Sequence, residues 1–116
     1  MRPRDLRIHL HDMDAAARAI SGFITGRSLD DVRSDLMLRS AVERQFEILG
    51  EALRRALSTE PSLVERIPAA HGVVDFRNVI AHEYDILSPT TVWDIARNEL
   101  PKLAVDVARE LERLKD

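Results

Sequence analysis

The chain has 116 residues, 45% hydrophobic and 32% charged, which fits one globular domain over 1–116 and excludes a disordered chain or a second core. It contains no cysteine, so disulfides, thiolate nucleophiles and cysteine-based metal sites are excluded together, as expected of a cytoplasmic protein. A formal net charge of −3 excludes a non-specific nucleic-acid binder, whose affinity would come from a strongly basic surface.

Met1-Arg2-Pro3-Arg4-Asp5 leads straight into an amphipathic pattern without the apolar stretch of a secretory signal. No apolar run approaches the roughly 18 residues that a membrane span needs, so no membrane association is expected. Every long segment shows three-four apolar spacing and none alternates, which predicts an all-α fold. The first helix is expected from Asp5, as N-cap, to Gly26, with the stripe Leu6, Leu10, Met13, Ala17, Ile20 and Ile24 buried. Ser28 and Asp31 form a capping box with Asp in the Glu position, and a break is expected near Ser34-Asp35. Leu38, Val42, Phe46, Leu49, Leu53 and Leu57 then define a long helix ending near Ser58-Thr59. Gly50 lies inside it, at a cost of about 0.5–1 kcal/mol relative to alanine, so a close helix crossing or a subunit contact is expected there.

Pro61 to Ile67 reads as a short turn, followed by a helix from Pro68 to Ala81 with Val73, Phe76 and Ile80 on its apolar side. Glu83–Ser88 reads as a loop, and Ser88-Pro89 as an N-cap followed by a first-turn proline. Trp93, Ala96, Leu100, Leu103, Val107, Leu111 and Leu114 keep helical spacing to the end. Pro101 interrupts that pattern at about 3 kcal/mol, which predicts a kink or a restart capped by Asn98. Three principal helices make a thin core, and a homodimer would bury the remaining apolar stripes.

The residues that suggest chemistry lie in Arg77-Asn78-Val79-Ile80-Ala81-His82-Glu83-Tyr84. Arginine is a permanent planar cation suited to phosphate, histidine moves protons near neutral pH, and tyrosine offers a modifiable hydroxyl. On a regular helix Arg77 and His82 point about 140° apart, so one phosphate can be shared only in two ways. Either the helix ends or loosens at Ala81–His82, or two copies of the segment face each other across a dimer axis. If the groups converge, RNA can be cleaved by its own 2′-hydroxyl without metal or cofactor. His82 would then act as base or acid, Arg77 would stabilise the phosphorane, and Asn78 would position either partner. The plainer alternative is that Arg77 pairs with a carboxylate, His82 caps a helix end and Tyr84 packs.

That run resembles the signature of HepT-like proteins, a branch of the HEPN superfamily. Ala41–Ala52, with its Gly50-Glu51-Ala52 ending, is similar to the family's second-helix block, and Val92–Ile95 with Glu99–Leu103 is similar to its last helix. The resemblance spans Asp5 to about Leu114. It implies an antiparallel helical bundle that dimerises, and the toxin of a toxin–antitoxin pair acting as an endoribonuclease on RNA. On that resemblance Arg77 and His82 fall on catalytic positions, and Asn78 on the polar position after the arginine. Tyr84 falls on the tyrosine that a partner, a minimal nucleotidyltransferase antitoxin, modifies with AMP. Ala70 and Asp75 depart from the pattern, standing where the family often has a tryptophan and a glycine.

Outside that run, His9 and His11 point about 200° apart on a helix, which argues against a shared metal ion. The stripe Arg39, Glu43, Glu47, Glu51, Arg55 reads as a solvated face laced with weak salt bridges. A sharper reading has Glu43 or Glu51 reaching Arg77 and orienting it. The charges of Glu110–Lys115 read as a wet helix face. Besides the nuclease, two readings stand: a non-catalytic subunit presenting RNA, nucleotide or Tyr84 to a nucleotidyltransferase, and a plain dimerisation module.

Overall fold

The structure, a computed structural model, describes residues 3–82 and 88–115. These residues form an all-α bundle: α1 (Pro3–Ile24), α2 (Leu29–Ser34), α3 (Leu36–Thr59), α4 (Leu63–Arg66), α5 (Ala70–His82), α6 (Pro89–Asp94), a π-helical segment (Ile95–Glu99) and α7 (Leu100–Arg113).

α1 is already helical at Pro3, so Asp5 lies in its first turn instead of capping it, where its charge complements the helix dipole. The turn after Ile24 carries Gly26 at φ +75°, a conformation that glycine adopts without a Cβ penalty. Ser28 and Asp31 then cap each other reciprocally, with Ser28 N–H donating to Asp31 at 2.8 Å and Asp31 N–H to Ser28 Oγ at 3.2 Å. The break at Ser34-Asp35 is real: Asp35 is extended, and its carboxylate accepts from Leu38 N–H to start α3. Glu60 (φ −133°, ψ 72°) and Ile67 (φ −129°, ψ 75°), each before a proline, leave the helical region, which the proline ring disfavours for its preceding residue. Pro68 consequently lies in a turn, and α5 begins two residues later than its expected start. At the other side of the undescribed stretch, Ser88 caps α6 through Thr90 N–H.

Pro101 produces neither a restart nor a cap by Asn98. The helix continues through a widened turn in which Leu100 N–H bonds to Ile95 C=O, five residues back. Proline's ring would clash with the carbonyl four residues before it, and it has no N–H to give; the π turn accommodates both defects without breaking the helix. Because the chain does not stop there, no free amides exist for Asn98 to cap. Arg97 lies over the Trp93 ring at 5.2 Å within the same segment.

α3 is the central element, packed on α1 along one side and on α5 along another, while α7 covers α1. The N-terminal half of α1 lies beside the C-terminal half of α3, and its C-terminal half beside the start of α3, so the pair is antiparallel. Arg7 near the start of α1 reaches the Leu114 carbonyl just past α7, so that pair is antiparallel too. Most of the expected stripes are buried, among them Leu10, Met13, Ile20, Val42, Phe46, Leu49, Leu53, Leu100 and Leu103, while Leu57, Trp93, Leu111 and Leu114 are half-buried. Phe46 and Phe76 meet edge-on at 5.1 Å and fix α5 on α3.

The wet-face reading of Glu110–Lys115 fails at Glu110, which is only 2% exposed. Arg66 from α4 and Arg113 donate to its Oε2 at 3.0 and 2.9 Å. Burial alone would raise the Glu110 carboxyl, but the bonds from Arg113 and Arg66 bring it below the usual carboxylate range. Helical spacing predicts a wet position there because Arg66, 44 residues away in sequence, does not figure in it.

Candidate functional site

Gly50 explains how the site is assembled. A Cβ built there would collide with the Arg77 Cβ and lie 2.6 Å from its Cγ, so the absence of a side chain is what lets α5 approach α3. Arg77 follows the buried Phe76 by one position, about 100° round the helix, at the margin of the apolar face. Its stem crosses the α3 backbone at Gly50, and its guanidinium emerges beside the next residue, Glu51.

Arg77 Nη2 pairs with Glu51 Oε2 at 3.1 Å, with both side chains about one quarter exposed, at 26% and 27%. Arg77 Nη1 donates to Asn78 Oδ1 at 3.0 Å, while Nε is buried without a hydrogen-bond partner. Glu51 also accepts from Arg54 and, at 3.0 Å, from Arg55. Hydrogen bonding from Arg54 is the largest influence on it; with Arg55 and the charges of Arg54 and Arg77 it outweighs burial and lowers the Glu51 pKa to about 2. Glu51 is therefore a carboxylate at any physiological pH.

Glu43 lies two turns, about 12 Å, further towards the start of α3 and forms no ion pair with Arg77 among the described residues. Burial raises its carboxyl above the usual range. The stripe containing both residues is not a freely solvated face: Arg39, Glu43, Glu47 and Glu51 are half-buried on a helix that packs against α1 along its length. Between α1, α3 and α5 lies an open cleft of about 400 Å³, lined among others by His9, Asp12, Arg44, Glu51, Arg55 and Arg77. Sequence reasoning missed His9 and Arg44, which reach the cleft only through the packing of α1 on α3 and carry no local signal. Asp75 is exposed on α5, and Ala70 is fully buried.

α5 is helical through His82, so its backbone does not loosen before that residue, and on a regular helix positions five apart are about 140° round from each other. Any loosening that turns the imidazole back would have to follow His82. The His82 side chain and Tyr84 lie outside the described residues, as does the expected loop apart from Ser88. His9 and His11 separate as their spacing requires: His9 lines this cleft, and His11 lines a groove between α1 and α7. Among the described residues no three His, Asp or Glu side chains are grouped as metal ligands, and no helix is long and apolar enough to cross a membrane.

Residues 13–110 match the family model described as ribonuclease HepT-like. The chain belongs to that family. Among its relatives is a protein of Methanocaldococcus jannaschii named "Putative RNase", 27% identical over 107 residues, which are 92% of this chain and 97% of the relative. A second protein of that name and organism is 26% identical over 116 residues, 100% of this chain and 93% of its own length. A third, from Caldanaerobacter subterraneus subsp. tengcongensis, is 26% identical over 92 residues, 79% of this chain and 81% of the relative. No solved structure matches the chain significantly. Within this HepT-like chain the match takes in Gly50, Glu51 and the whole of α5.

Proposed function

We propose that this HepT-like protein is a metal-independent endoribonuclease, the toxin of a toxin–antitoxin pair acting in the cytoplasm as a homodimer. The observation that carries this reading is Arg77, held by Glu51 and Asn78 at the wall of an open cleft in a chain of the ribonuclease HepT-like family. An RNA 2′-oxygen attacks the adjacent phosphorus as a base removes its proton. The P–O5′ bond then breaks, and an acid protonates the departing oxygen, leaving a 2′,3′-cyclic phosphate and a 5′-hydroxyl. Arg77 stabilises the phosphorane, worth about 3–4 kcal/mol for a well-aimed donor. His82 performs a proton transfer worth about 10²–10⁴ in rate, and a dimer axis would bring His82 of one protomer towards Arg77 of the other. AMP added to Tyr84 by a nucleotidyltransferase antitoxin would place phosphate charge beside the cleft and repel RNA.

RNA cleavage in EDTA by wild type, Arg77→Ala and His82→Ala tests the reading, with both variants expected to lose about 10²-fold or more. Activity that needs Mg²⁺ and survives His82→Ala would exclude the mechanism. Tyr84→Phe should abolish both labelling and neutralisation by the antitoxin. A second reading, a non-catalytic subunit presenting RNA or nucleotide to a nucleotidyltransferase, is favoured by the balance of three carboxylates and three guanidiniums lining the cleft. It prevails if pure protein cleaves no RNA while the partner enzyme still labels Tyr84.

A further inference from the structure

Cleavage through the 2′-hydroxyl needs two proton transfers, one at O2′ and one at O5′. On the proposed reading His82 supplies one imidazole, and its backbone position on α5 is five residues from Arg77. His9 approaches from a different element. It sits on α1, half-buried, on the wall of the cleft that Arg77 and Glu51 also line. Leu6, Leu10 and Met13 do the packing of that stretch of α1, so His9 is not required to fill the core. His11, two residues on, is exposed in the separate α1–α7 groove, which makes it a control of the same residue type on the same helix. Charged groups line the cleft around His9 from every element that forms it: Asp12 on α1, Arg44, Glu47, Glu51 and Arg55 on α3, and Arg77 on α5.

We infer that His9 is a second proton-transferring residue of the ribonuclease site, acting on the phosphodiester that Arg77 engages. The inference rests on the ribonuclease reading and deepens it. One imidazole takes the proton from the 2′-hydroxyl as the O2′–P bond forms. The other gives a proton to O5′ as the P–O5′ bond breaks, so the site returns with its two protonation states exchanged. Nothing else is consumed.

Single-turnover cleavage of a short RNA by wild type, His9→Ala and His11→Ala, followed between about pH 5 and 8 where imidazoles titrate, tests it. Wild type should give a bell-shaped profile. His9→Ala should lose about 10²–10⁴-fold in kcat and one limb of the bell, with His11→Ala unchanged. A substrate with sulfur in place of the leaving O5′, which departs without protonation, then assigns the role. Rescue of His9→Ala makes His9 the acid, and loss without rescue makes it the base. A His9→Ala enzyme with wild-type rate and an intact bell overturns the inference and leaves the ribonuclease reading standing. Wild type that neither cleaves nor binds RNA brings down both. If His9→Ala fails to fold, the wild-type imidazole resonances, assigned with His9→Gln, are followed on adding the same RNA with a 2′-deoxy group at the cleaved position. The His9 signal should shift and the His11 signal should not; an unmoved His9 signal with the analogue bound overturns the inference.

Discussion

At Glu51 one carboxylate meets three guanidiniums, and this residue sets the position of Arg77. Removing it leaves Arg77 Nη2 without its anchor and Arg54 and Arg55 without their shared counter-charge. Glu51→Ala should therefore lower kcat by about 10²-fold, the scale expected for a displaced catalytic group, while KM changes far less. An unaltered kcat would show that Arg77 needs no such support. The Glu51–Arg77 contact was partly legible, since a run of charges every four residues marks a continuous face and two of its acids are candidates. What selects Glu51 over Glu43 is the level at which α5 crosses α3, a tertiary fact. His9 was legible as a helix residue diverging from His11, but its entry into the cleft depends on which flank of α1 meets α3.

Local signals specified the elements well, because they act within a few residues. The Ser28–Asp31 box, the Asp35 cap, the Gly26 stop and the Ser88 cap each use bonds over two to four positions. Pro101 announced a disturbance without its form; a π turn and a kink meet the same steric demand. Glu110 was misread because its stabilising partner on α4 is remote in sequence. Gly50 announced a close approach, and the neighbour proved to be the stem of Arg77. Gly50→Ala gains helix propensity of about 0.5–1 kcal/mol but forces overpacking that typically costs about 1–3 kcal/mol. The net expectation is a lower urea midpoint at constant m-value, together with reduced RNA cleavage as α5 is pushed away. A variant more stable than wild type would show that the interface yields freely.

For the molecule as a whole, acid should be the weak flank. Glu51, held near pKa 2, and Glu110, also lowered, stabilise the fold at pH values above the ordinary carboxyl value of 4.5. That contribution disappears as pH falls, for Glu51 across the window from 4.5 down to about 2. Glu43 runs the other way: its contribution is fully present below 4.5 and is lost as pH rises through its raised value, so it acts above that window. Thermal midpoints should drop from pH 4.5 towards 2, and Glu51→Gln should flatten that drop. Parallel losses in the two proteins would rule out Glu51 as a source. The same triple pairing bears on how any anion enters. A phosphate approaching Arg77 would not meet an empty positive hole: Glu51 already sits on Nη2 and is shared with Arg54 and Arg55. With that carboxylate kept in place, long-range attraction would count for little, and fit against the rest of the guanidinium would decide which molecule stays.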